Sequence, residues 1–98
     1  LAIILAIMNS YFLHKTPLAT QVELASKLRV LRKQAGYSQA ELALRSGVSL
    51  GSIKRFERTG KISLESLVQL AHLLDCLDDF DSVFVSRQVD KRVEKLFT

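Results

Sequence analysis

Lys54, Arg55, Arg58 and Lys61 fall close together in the chain, with Ser49 and Ser52 just before them and Gln39 ten residues upstream of Ser49. All seven side chains donate hydrogen bonds. A guanidinium such as that of Arg55 can hold guanine O6 and N7 together, whereas the ammonium of Lys54 or Lys61 acts as a point charge toward phosphate. The hydroxyls and the amide can serve either partner. Between Ser49 and Lys61 the only acid is Glu57, so the chemistry on offer is recognition of a polyanion.

The wider charge pattern points the same way. From Thr20 to Lys61 there are nine Lys and Arg against three Glu, a net +6; from Ile62 to Phe84 there are five acids and no bases, a net −5. Such a chain presents one half to a polyanion and turns the other away. On charge alone, a solvated face without a partner weighs equally.

Catalysis has no comparable footing. His14 and His72 are isolated, Cys76 lies beside Leu74 and Leu77 and reads as a small buried hydrophobe, and the acidic run DCLDDFD lacks the spacing and glycine of a calcium loop. No glycine-rich phosphate cradle is present, so neither an enzyme nor a cofactor or metal site is expected.

Ninety-eight residues, 48% apolar and 24% charged, make one globular domain. A single cysteine excludes an internal disulfide and fits a reducing, cytoplasmic setting. The run LAIILAIM at residues 1–8 is well short of the about 20 apolar residues a membrane span needs. It has no basic flank and no cleavage pattern, so no membrane association or secretion is expected. Met8 is a candidate native start. The alternative is an apolar arm or short strand, through Ile3, Ile4 and Ile7, that pairs with another subunit.

The elements that must position the donors are helices. Thr20 with Glu23 reads as a capping box opening a first helix that Gly36 ends, with Leu24, Leu28, Leu31 and Ala35 as its apolar face. Ser38 with Glu41 opens a second, and Gly47 stops it. Gly47, Val48 and Ser49 form a turn, and Ser49 caps a third helix from about Leu50 to Arg58 whose inward residues are Ile53 and Phe56. Ser63 starts a fourth, with Leu64, Leu67, Ala71 and Leu74 on its stripe, and a fifth is expected from Asp78 to Phe84. Val89, Val93 and Leu96 have helical spacing in the tail. The expected division is an apolar leader over 1–19, a helical domain over 20–84 and an amphipathic tail over 85–98.

Two helices joined by a three-residue turn containing glycine form a helix-turn-helix, a unit whose second helix suits the major groove of DNA. Ala43 should let the helices approach, Gly47 should turn, and Val48 and Ile53 should plug the joint. The span from Thr20 to Phe84 resembles the lambda-repressor-like, or Xre, family of all-α, five-helix DNA-binding domains. The resemblance is carried by SQAELA, GVS, SIKRFE and ISLESLVQLAHLL, and by the joint spacing of Gln39, Ala43, Gly47, Ile53 and Glu57.

The resemblance implies roles. Gln39 would contact a phosphate or brace the third helix. Ser49, Leu50, Gly51, Ser52 and Arg55 would meet base edges, while Lys54, Arg58 and Lys61 would hold phosphates. Glu57 would form an ion pair with Arg29 or Arg32. Leu50 and Gly51 depart from the polar amides frequent in the family; Leu50 would touch a thymine methyl or, alternatively, a partner protein. The implied molecule is a cytoplasmic transcriptional regulator, a repressor or autoregulator, binding double-stranded DNA as a homodimer. The dimer would form through Val83 to Val93 or through the leader. The alternative is an antitoxin-like subunit that binds a toxin or another regulator.

Overall fold

A computed structural model describes residues 15–86. The leader before Lys15 and the tail beyond Ser86, and with them the expectations for Met8, the apolar arm and the amphipathic tail with Val89, Val93 and Leu96, lie outside the described residues. Every regular element among the described residues is helical: α1 Pro17–Gln34, α2 Gln39–Ser46, α3 Leu50–Thr59, α4 Leu64–Leu73 and a 3-10 helix, η1, Leu77–Ser82.

The start of α1 differs from the sequence expectation. Thr16, not Thr20, is its cap: the Thr16 hydroxyl accepts from the Ala19 N–H at 3.1 Å, and Pro17 occupies the first turn. Proline fits there because its fixed φ is already helical and its missing N–H would have had no partner. Thr20 lies inside the turn, its N–H bonded to the Thr16 carbonyl, and Glu23 pairs with Lys27 at 3.5 Å. The first helix therefore begins before residue 20.

The helix ends as expected, with Gly36 at φ +81° and the Tyr37 N–H reaching back to the Arg32 carbonyl. Its buried face, however, is Ala25, Leu28 and Arg32; Leu24 is 44% exposed and Ala35 is exposed. The stripe is rotated because the core accepts a charged residue where periodicity favours an apolar one.

Caps define the next three helices. Ser38, Ser49 and Ser63 each accept from an N–H three residues on, and Gly47 and Gly60 close α2 and α3 in the left-handed conformation. The box at Ser38 is half made: its hydroxyl takes the Glu41 N–H, while the Glu41 carboxylate turns to Arg45 at 3.6 Å.

Leu42, Val48, Ile53, Phe56 and Leu70 are buried around the joint, together with Ala25 and Leu28. Thus α3 packs on both α1 and α2, and α2 leans on α4. Leu64, expected on the α4 stripe, is 71% exposed instead, because the buried row of that helix runs through Leu70 and Ala71.

The fifth helix is also corrected. It is a 3-10 turn over Leu77–Ser82 with no buried residue, not an α-helix to Phe84. Three aspartates make poor helix formers, and with only Phe80 partly covered nothing rewards a longer helix.

Candidate nucleic-acid interface

The third helix presents two distinct faces. Ile53, Phe56 and Gly60 recur at spacings of three and four and are buried; at 3.6 residues per turn, the opposite side carries Gly51, Arg55 and Arg58, with Lys54 beside them, all exposed. Leu50, the apolar exception on this helix, is half-buried on the flank rather than on the outer crest. At the start of the helix the Ser49 hydroxyl accepts from the Ser52 N–H at 3.1 Å and donates to the Ser52 hydroxyl at 2.7 Å. The Ser52 O–H is thereby left with a hydrogen to donate outward.

Glu57 fixes how this face is aimed. Its side chain is 5% exposed, and Arg32 grips it with two parallel bonds, Nε to Oε2 at 2.7 Å and Nη2 to Oε1 at 3.0 Å. The same guanidinium donates to the Tyr37 carbonyl at 2.8 Å, while Gln39 Nε2 donates to Glu57 Oε1 at 3.0 Å. Arg29 stands farther off, at 3.9 Å. One carboxylate thus ties α3 to α1 and to the first residue of α2, and Arg32 carries the tie on to the loop between them. Burial pushes the Glu57 carboxyl up, but the bonds from Arg32 and Gln39 and the charges of Arg32 and Arg29 outweigh it, so its pKa lies below the ordinary 4.5.

Two polar recesses flank α3. On one side Ser38 and Gln39, at the start of α2, meet Arg29, Lys54 and Arg58 above the Glu57 network. On the other, Ser52 and Arg55 meet Lys61, Ser63 and Ser66 across the start of α4. Each recess combines cations with a helix N-terminus, where N–H groups and the helix dipole favour an anion. Six of the seven sequence-derived donors therefore separate into two groups, Gln39, Lys54 and Arg58 on one flank and Ser52, Arg55 and Lys61 on the other, while Ser49 lines neither recess.

Four recess residues are not among the donors expected from sequence. Arg29 carries a signal only as a possible ion-pair partner of Glu57, Ser38 and Ser63 only as caps, and Ser66 none; what brings them to α3 is tertiary packing.

A helix-turn-helix family model, of the lambda-repressor-like class, matches residues 28–79, more than half of the chain. The chain belongs to this family. The helix-turn-helix match spans all of α2, α3 and α4 and includes both recesses, so the chain carries a DNA-binding regulatory domain. No curated protein and no solved structure gives a significant match. Within the helix-turn-helix, α2 is the first helix and α3 the second, the position that enters the major groove in motifs of this kind. Among the described residues no helix is long and apolar enough to cross a membrane.

Proposed function

We propose that the protein is a sequence-specific repressor or autoregulator that seats α3 in the major groove, with the two recesses gripping the backbone strands on either side. The observation that carries this reading is the outer face of α3: donors and a glycine, free of large apolar groups, on a helix locked from behind by Glu57. Arg55 reads a base pair, with Ser49, Leu50, Gly51 and Ser52 beside it at the groove end. Lys54, Arg58 and Lys61, with the second N–H of the Gln39 amide, hold phosphates. Arg29, Ser63 and Ser66 join the phosphate contacts. A domain of this size covers one half-site, so it acts as a homodimer, in the cytoplasm, on half-sites about 10 bp apart.

Selection of duplexes from a random pool, followed by titration of the variants, tests the assignment. Arg55→Ala is expected to lose about 1–3 kcal/mol of discrimination at one base pair, with non-specific binding less affected. Lys54→Ala should weaken every duplex alike and lower the salt slope by about one. If Arg55→Ala keeps the full preference, the reading residue is another.

Gly51 gives a separate test in which stability and binding move apart. A methyl group there meets nothing within 4 Å beyond its chain neighbours and the backbone of its own helix, and alanine is favoured over glycine in a helix by up to about 1 kcal/mol. Gly51→Ala is therefore expected to raise the melting temperature while weakening operator binding, because the added methyl occupies the gap between helix and base edges. Unchanged affinity would remove Gly51 from the interface.

A second reading, an antitoxin-like subunit that holds a toxin or other regulator, draws on the acidic end. There Val83, Phe84 and Val85 are 48%, 98% and 61% exposed, a small apolar surface remote in sequence from α3. It is compatible with DNA binding.

A further inference from the structure

Behind α1, away from the charged face of α3, lies an apolar groove of about 160 Å³. Leu24, Leu28 and Leu31 of α1 face Leu67 of α4 and Phe80 and Val83 of the η1 segment across it. The volume is comparable to a cavity of roughly 150 Å³ that holds one benzene ring, so the groove has room for a large apolar side chain. Lys27, paired with Glu23, stands on its α1 side, and Asp79 on the other, with Asp75, Asp78 and Asp81 exposed on the same stretch as Asp79.

We propose that residues 87–98 of the same chain fold back onto this groove, with Val89, Val93 and Leu96 against its apolar wall and Arg87, Lys91, Arg92 and Lys95 toward its acids. Three observations select this occupant. The segment begins four positions after Val83, which lines the groove, so it is tethered at the groove's edge. The segment carries four bases against two acids, complementary to the four aspartates of residues 75–81 on one side of the groove. Its twelve residues would span about 18 Å as a helix at 1.5 Å per residue, enough to follow α1 from Leu24 to Leu31, about 12 Å. The leader competes less well, since residues 1–13 carry no Asp, Glu, Lys or Arg to meet the acids. Docking would cover apolar surface and neutralise acidic charge at the end of the domain away from α3. It is independent of the DNA reading.

Cys76 also lines the groove, half-buried and the single cysteine of the chain, and so reports on what covers it. Its thiol pKa is raised by burial and by Asp79 and Asp75. Basic residues arriving at those aspartates would lower it and speed reaction with an uncharged thiol reagent such as N-ethylmaleimide; a covering segment would slow the reaction. In the full chain the slower result is expected. Ending the chain at Ser86, or Leu96→Asp in the full chain, should each accelerate labelling about tenfold, the factor that corresponds to ~1.4 kcal/mol of docking. Beginning the chain at Lys15 should leave the rate as it was. The Leu96→Asp chain keeps every groove residue, so it remains informative if the shortened chain fails to fold. Equal rates in the full and altered chains would overturn the proposal. So would protection that grows with protein concentration, which would give the groove to a second copy, or protection lost with residues 1–14.

Discussion

Glu57→Ala is expected to destabilise the fold by about 3–5 kcal/mol, because it leaves a buried guanidinium without its counter-ion. The Arg32 side chain is 9% exposed and the Glu57 side chain 5%, so water cannot replace the lost bonds cheaply. Against a total stability of about 5–15 kcal/mol for a small domain, a loss of that size removes much of the folded population. Arg29→Ala supplies the contrast. Arg29 is 56% exposed and 3.9 Å from the carboxylate, so its removal should cost no more than about 1 kcal/mol, while weakening the phosphate grip of the first recess. Denaturant melts of the two variants, read beside their DNA titrations, separate the lock from the grip. Comparable destabilisation by both would mean that the network does not depend on the Arg32 fork.

The same carboxylate sets an acid limb. Its folded pKa lies below the ordinary 4.5, so its stabilising contribution is complete above that value and is lost as pH falls through the folded pKa. Melts of the parent protein should lose stability in that range, and Glu57→Gln should flatten this part of the profile. Replacing both Arg32 and Glu57 by apolar residues of similar volume need not destabilise, since the desolvation of both charges is avoided. What the pair supplies beyond stability is direction. Three of its bonds end on the carboxylate of α3, and one of these comes from Gln39, which lines a recess with Lys54 and Arg58. The angle of α3 and the placement of Gln39 are thus set by one group.

The helix-turn-helix joint was legible because its instructions are local. Ser38, Ser49 and Ser63 each satisfy an N–H within their own first turn, and Gly47 takes a backbone conformation that other residues resist. Val48 and Ile53 are buried at the joint where the turn pattern puts them. The start of α1 was misread because two local signals compete there, and Thr16 with Pro17 wins over the Thr20 and Glu23 spacing. The inward face of α1 could not be read from apolar periodicity at all, since Arg32 faces inward only by meeting Glu57, 25 residues away. The η1 segment fails for a related reason: its length depends on how little of it the core covers. The donors on α3 were visible as residue types. Their division between two recesses was not, because Arg29, Ser63 and Ser66 reach α3 only through packing.

Gly60→Ala is expected to cost far more than the same change at Gly47, although both glycines have nearly the same backbone angle, φ +81° and +77°. At Gly47 a methyl group would meet nothing within 4 Å, leaving only the left-handed strain of about 1–2 kcal/mol. At Gly60 the methyl would stand 2.8 Å from the Gln21 carbonyl carbon and 2.9 Å from the Val22 nitrogen. Those are backbone atoms of α1, so no side chain can swing aside; the helix itself must move. Overpacking of that kind adds about 1–3 kcal/mol, for a total of roughly 2–5 kcal/mol with the left-handed strain. The displacement would also reach the interface, because Gly60 directly precedes Lys61 and α1 carries Arg29 and Arg32. A stable fraction of Gly60→Ala protein should therefore bind DNA more weakly at every sequence, whereas Gly47→Ala protein, once folded, should bind as the parent does. Equal losses of stability in the two variants would show that α1 yields to the methyl group, and that the close approach of its backbone to Gly60 is not what holds the end of α3 in place.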